Sequence, residues 1–256
     1  MRRTPLFLAA IAMIATGCAT KIVGLQKDKS FTYESIKQTP LVIGGVVDGA
    51  NEKSAVSNIN SMNELRGQIA EETKNIKVSR SGLVRATIGS RTYKQMLQEY
   101  RDDSSLSQNS IEMLSKKLKG KRYVIFSRIQ KDEPYQNRSE SQDTDSKGNQ
   151  LSSKSINMTS GRTVGASLDV IDLHLKKVVW SGLISKEKQN SQRYKWNEPK
   201  QDTTGFGGLI NLVKTIKGTE GKVATQPDYK FPSHPSTQSV LVSIFRGFAE
   251  NLPEED

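Results

Sequence analysis

Behind Pro40 the chain reads Leu41-Val42-Ile43-Gly44-Gly45-Val46-Val47, closed by Asp48-Gly49. A short apolar run of this kind, bounded by turn residues, predicts a strand buried on both faces. The period then changes. Met62, Leu65 and Ile69 recur at helical spacing, with Ser61 and Glu64 placed as a capping box. Ile76-Lys77-Val78 predicts a second strand. Tyr93, Met96, Leu97 and Tyr100 mark a short helix, and Ile111, Leu114 and Leu118 mark another. The latter ends in Lys116, Lys117, Lys119 and Gly120, where cations and a C-terminal glycine belong. These stripes read as core.

Arg122-Tyr123-Val124-Ile125-Phe126-Ser127-Arg128-Ile129 is the clearest strand, apolar on both alternating faces and so expected to be central in its sheet. From Gly165 to Asp172, Ala166, Leu168 and Val170 share a face; a turn over His174 to Lys177 leads into Val178-Val179-Trp180-Ser181-Gly182-Leu183-Ile184. Together they predict a β-hairpin. Pro235-Ser236-Thr237 opens a helix bearing Val240, Leu241, Ile244, Phe245, Phe248 and Leu252, and Pro253 stops it. That stripe is wide enough to lie flat on a sheet. The pattern defines one α/β (α+β) domain over residues 39 to 252. It is three-layer-like, with a mixed central sheet flanked by helices. Two polar insertions interrupt it, near 134 to 162 and near 186 to 235. The first, rich in Ser, Asn and Gln, reads as a mobile loop or a long hairpin tip; the second is longer than ordinary connections. No internal repeats occur.

The N-terminus changes the picture. Met1-Arg2-Arg3 precedes an apolar run from Pro5 to Ala15, then Thr16-Gly17-Cys18. This is the layout of a secretory signal over residues 1 to 17, too short for the roughly 20 residues of a membrane-spanning helix. Ala15-Thr16-Gly17-Cys18 resembles the lipobox of bacterial lipoproteins, in which the cysteine thiol takes a diacylglycerol. By that resemblance Cys18 is a lipid anchor and residues 18 to 38, polar and unpatterned, a tether. In such lipoproteins an acidic residue after the cysteine commonly means retention in the inner membrane. Ala19 and Thr20 stand here instead, which implies the periplasmic face of the outer membrane.

Cys18 is the only cysteine, so no internal disulfide is available and the fold rests on its core. Loss of Arg2 and Arg3 with the signal lowers the formal charge from +11 to +9. A basic surface points first to nucleic acid, but export removes that partner. What remains is anionic phospholipid, lipopolysaccharide, cell-wall polymer or an acidic protein.

The order of elements resembles the anticodon-binding-like α/β domain of the TolB N-terminal domain, of curli-secretion-channel lipoproteins and of lipoprotein activators of penicillin-binding proteins. Cys18, the strands Leu41 to Val47 and Arg122 to Ile129, and Asp169-Val170-Ile171-Asp172 turning into Val178-Val179-Trp180-Ser181 carry that resemblance. In those families the hairpin often has a Thr-Gly turn, replaced here by Leu175-Lys176-Lys177. The resemblance implies a lipid-anchored periplasmic binding or assembly module that docks on an envelope protein, an enzyme or a secretion machine. The alternative is an oligomeric ring or secretion channel of the curli type. Channel strands alternate apolar and polar residues over about 9 to 11 positions. Residues 134 to 162 offer only Leu151, Ile156 and Met158 amid polar residues, which argues against a pore.

Two stretches are candidate contacts. Phe206, Leu209, Ile210, Val213 and Ile216, within Gly205 to Gly218, fit one side of a short amphipathic helix for a membrane or a partner, or simply a cover for the sheet. Arg193-Tyr194-Lys195-Trp196 interleaves cations with aromatics, suited to an anionic polymer or sugar. For catalysis the residues offer little. His174 and His234 lack metal-spaced neighbours. No Gly-x-Ser-x-Gly elbow occurs, and Gly205, Gly207 and Gly208 lack dinucleotide-loop spacing. Asp169 and Asp172, three apart on a strand, face opposite sides. The expectation is a non-enzymatic protein without cofactor or metal.

Overall fold

A computed structural model describes residues 22–51, 58–73, 75–197 and 228–255. In chain order the elements are β1 (Ile22–Lys27), α1 (Tyr33–Gln38), β2 (Val42–Asp48), α2 (Ile59–Glu72), α3 (Leu83–Ile88), α4 (Ser90–Asp103), α5 (Gln108–Lys117), β3 (Tyr123–Thr144), β4 (Gln150–Asp172), β5 (Lys177–Asn197) and α6 (Thr237–Ala249). The strands form one mixed sheet in the order β1-β5-β4-β3-β2. Only β2 and β3 run parallel; β3, β4, β5 and β1 pair antiparallel.

Helices cover both faces because the central strands are apolar on both. Ile43, Val46, Tyr123, Ile125, Leu168, Val170 and Trp180 pack with Met62, Leu65 and Ile69 of α2 and Val240, Ile244, Phe245 and Phe248 of α6. Val42, Val47, Val124, Phe126 and Ile171 pack on the other side with Tyr93, Met96, Leu97 and Tyr100 of α4 and Ile111 and Leu114 of α5. Gly44 and Gly45 permit the second contact: a Cβ on Gly44 would lie 2.4 Å from the Phe126 ring, and one on Gly45 2.4 Å from Leu97 Cδ2. The Tyr93 hydroxyl uses that space to donate to the Gly44 carbonyl (2.9 Å). The three-layer α/β architecture expected from the pattern is therefore present.

Several expectations are corrected. Residues 22 to 38 of the expected tether carry β1 and α1, and Phe31 and Ile36 are core. Ile22, Val23 and Leu25 are apolar, but the run is short and broken by Gly24, and as an edge strand β1 leaves Val23 and Leu25 exposed, so its sequence shows no strand period with one buried face. The capping box at Ser61 does not form: Asn58 caps α2, accepting from the Ser61 amide (3.1 Å). Ser61 is buried instead, donating to Gln238 Oε1 of α6 (3.0 Å). Ile76-Lys77-Val78 gives no strand, only an isolated parallel bridge between Leu41 and Val78. The polar stretch 134 to 162 is not a loop. It is the continuation of β3 and β4 joined at a tight turn, and residues 186 to 197 continue β5 beside them.

Candidate functional site: a three-stranded arm

Beyond Ile129 on β3 and Ile184 on β5 the neighbours β2 and β1 have no paired residues, so among the described residues β3, β4 and β5 go on as a three-stranded sheet. The pairing runs without interruption from Lys131 opposite Gly165 to Gln142 opposite Lys154, and from Val164 opposite Lys186 to Ser153 opposite Asn197. At the tip the Asp145 carboxylate accepts from the amides of Lys147 and Asn149 (both 2.8 Å), while Gly148 takes φ 83°, open to glycine at no steric cost. These hydrogen bonds hold the Asp145 carboxyl below its ordinary pKa, those from Asn149 contributing most.

One face of the arm, on the α6 side, is partly covered. Ile156 and Met158 are buried there; Tyr194 stacks on Tyr229 (4.5 Å) and donates to the Lys230 carbonyl (3.1 Å). Asn190 Nδ2 donates to the Ser233 carbonyl (2.8 Å), and His234 Nδ1 hydrogen-bonds the Gly161 carbonyl (3.2 Å). The segment 228 to 235 is thus strapped along the strands. At the root, Arg162 donates to Asp132 Oδ1 (2.5 Å), to the Pro235 carbonyl (2.8 Å) and to Thr237 Oγ1 (3.1 Å), and Thr237 donates to Asp132 Oδ2 (2.7 Å). This cluster fixes the N-terminus of α6 to the base of the arm.

The opposite face is polar. Asn137, Ser139, Ser141, Asn157, Thr159 and Ser191 share it by register. Asp143 accepts from Ser153 (2.9 Å) and from Ser155, with Arg193 Nη2 3.4 Å away. Its carboxyl is held below the usual range, chiefly by the Ser155 hydroxyl. Tyr135 reaches across Gly161 to hydrogen-bond Glu187, using space that a side chain at 161 would fill.

The pleat separates the four residues 193 to 196. Arg193 and Lys195 lie on the polar face, and Arg193 is hydrogen-bonded to Ser155 (2.6 Å). Tyr194 and Trp196 lie on the strapped face, with Lys154 Nζ 5.7 Å above the Trp196 ring. Cations and aromatics adjacent in sequence do not converge on one site. Cys18 and the stretch with Phe206, Leu209, Ile210, Val213 and Ile216 lie outside the described residues.

Asp172 caps the β4–β5 turn, accepting from the amides of His174 (2.8 Å) and Leu175 (3.1 Å), and pairs with Arg122 (2.9 Å). His174 is exposed on that turn. Asp169 is buried under α4, where Tyr100 Oη donates to it (2.7 Å). Burial, foremost, raises the pKa of both groups; the Asp169 charge raises Tyr100 further, while hydrogen bonds from Ser181 and Tyr100 oppose the rise at Asp169. A folded-state pKa above the unfolded value contributes stability that is complete below the unfolded value and lost as pH rises through the folded one. Tyr100→Phe removes a donor that holds the Asp169 pKa down, so that pKa climbs further. The variant is expected to lose about 1–3 kcal/mol at neutral pH and less at pH 4, a widening gap that urea unfolding across pH 4 to 7 measures.

An open groove of about 650 Å³ lies at the far end of β1 from the arm, lined in part by Lys27, Asp28, Phe31, Tyr33, Pro253 and Glu255. Asp28 accepts there from Lys177 Nζ (2.5 Å) and from Ser30, which hold its carboxyl far below the ordinary range. Among the described residues no group of three or more His, Cys, Asp or Glu is placed to hold a metal, and no helix is long and apolar enough to cross a membrane.

No protein-family profile matches the chain, and no curated protein matches it. Solved structures with a similar fold include the lipoprotein GNA1162 of Neisseria meningitidis, 13% identical, covering 71% of this chain and 96% of that one at a TM-score of 0.33. The PelC dodecamer of Paraburkholderia phytofirmans is 9% identical, covering 89% and 96% at 0.37. The C-terminal domain of LpoB from Salmonella enterica is 13% identical, covering 58% and 82% at 0.31. At these scores none of them transfers a function to this chain.

Proposed function

We propose that this protein is a lipid-anchored envelope lipoprotein on the periplasmic face of the outer membrane, a non-enzymatic module that docks on an envelope protein through its arm. The observation that carries this reading is the arm. Its three strands continue well past the covered body, and both outer strands leave alternate backbone groups without a strand neighbour among the described residues. Such edges are templates for another chain. The tip and root are pinned by the Asp145 turn and the Arg162 cluster, so the arm is a preorganised surface and binding it costs little ordering entropy. Tyr100 and Asp169, both raised foremost by burial, lie together in the core under α4.

A ring of copies joined through these edges is the second reading. It is favoured by opposite charge: residues 131 to 144 of β3 carry Asp132, Glu133, Glu140 and Asp143 against Lys131 and Arg138, whereas residues 186 to 197 of β5 carry Lys186, Lys188, Arg193 and Lys195 against Glu187. A photo-crosslinker at Asn137, on the β3 edge, separates the two. The docking reading expects a covalent adduct with a different envelope protein, identified by mass spectrometry. Adducts with this chain alone establish the ring, and none at all refutes both.

A further inference from the structure

We infer that the β1/β5 edge of the sheet lies against an anionic phospholipid surface, with the strands running along the membrane and the acidic β3 edge of the arm turned from it. The inference rests on the anchor reading of Cys18 and adds an orientation to it. Cys18 precedes Ile22, the first residue of β1, by four residues. Whatever its conformation, a chain of four residues spans at most about 14 Å. Lipidation at Cys18 therefore holds the start of β1 within about that distance of the headgroups.

Ile22 pairs with Ile184, at the junction of body and arm. From Ile184 the arm continues to Asn197, about 43 Å of strand, and the body continues back to Lys177, about 23 Å. Both outrun the tether. Stood upright with the arm outward, the body would need to occupy the membrane. Stood with the arm inward, the arm would need to enter hydrocarbon, where its Ser, Asn and Thr face has no water to bond. The strands therefore lie along the surface.

The edge that faces it follows from where the tether leaves. β1 is the outermost strand on that side. Its Val23 and Leu25 are apolar yet 56% and 48% exposed, next to the anchor. Along the same edge β5 brings Lys186, Lys188, Arg193 and Lys195. Cations held near an anionic leaflet are attracted within about a Debye length. The net negative β3 edge is two strand spacings away, about 10 Å, and is repelled.

Two measurements test this. In the lipidated protein reconstituted into vesicles of phosphatidylethanolamine and phosphatidylglycerol, a spin label on Gln189→Cys of β5 is expected to relax rapidly with nickel-chelating lipid. A label on Lys77→Cys, beyond the far edge of the sheet, is not. Equal relaxation at both sites, or faster relaxation at position 77, overturns the orientation. So does a multi-copy particle in which the position 189 label is shielded by a second chain. Second, in the mature chain carrying Cys18→Ser, binding to phosphatidylglycerol-containing vesicles is expected to fall about 25-fold in Lys188→Gln/Lys195→Gln, near fivefold per cation. Phosphatidylcholine vesicles should bind neither form. Unchanged binding overturns the basic-edge contact. Mass spectrometry of the native protein separates the two failures: an unacylated Cys18 refutes the anchor, whereas an acylated Cys18 with no preference between the labels refutes only the orientation.

Discussion

Cys18→Ser is expected to move the protein from the membrane pellet to the soluble fraction after a high-salt wash, with its fold unchanged. Each buried methylene of an acyl chain contributes about 0.8 kcal/mol, and one chain gives only reversible binding while two or more hold firmly. Removing the thiol removes every chain at once. What remains is the electrostatic contact of the β5 edge, which salt screens over about 10 Å at 0.1 M. The measurement is fractionation in low and high salt, with circular dichroism on the released protein. Retention of Cys18→Ser in the pellet at high salt would show that the anchor is elsewhere.

The second large effect is on stability. Trp180→Ala is expected to cost about 3–5 kcal/mol, a large share of the 5–15 kcal/mol that holds a domain together. Trp180 is fully buried and meets Phe248 of α6 edge to face, with ring centroids 4.9 Å apart. Its strand partners are Lys27 of β1 and Val170 of β4, so position 180 joins the edge strand β1 to the helix that closes the sheet. Trp180→Phe should cost clearly less. It keeps part of the aromatic contact and removes an indole N–H that has no hydrogen-bond partner among the described residues, a group whose burial costs about 1–3 kcal/mol. Urea unfolding of the three proteins gives the order: wild type, Trp180→Phe, Trp180→Ala. Equal losses in the two variants would mean that the contact with Phe248 contributes nothing beyond the small indole volume lost in both.

The arm was the part least visible in the sequence, and the reason is physical. Strand periodicity is legible when one face is buried and the other wet. From Lys131 to Thr144 both faces are polar, and the strand is specified by its ladder of partners instead. Only Ile156 and Met158 kept an alternating apolar signal, and they are the two apolar side chains of the outer arm buried on the strapped face. The hairpin-tip reading of residues 134 to 162 had the right connection, whereas the loop reading did not. Residues 22 to 27 hid for another reason: Ile22, Val23 and Leu25 are apolar, but the run is only six residues long, Gly24 breaks it, and its edge strand buries no regular face. The site residues Asp132, Arg162 and Thr237 are 30 and 75 residues apart, and no local pattern links them. A count of charge along each outer strand would have exposed the acidic and basic edges.

Wherever local chemistry suffices, the amino-acid sequence determined the outcome alone: the apolar strands at 41 to 47 and 122 to 129, the hairpin through Trp180, the core stripes of α2, α4, α5 and α6, and the lipobox resemblance at Cys18. Burial of apolar side chains is a property each residue carries with it, so its period survives in the bare chain. The tertiary structure decided what depends on partners distant in the chain: the extension of β3, β4 and β5 into an arm, the splitting of Arg193 and Lys195 from Tyr194 and Trp196, and the position of β1 at the arm's root. Backbone hydrogen bonds between strands are indifferent to side-chain type, so where polar strands pair is settled only when the covered core brings them into register.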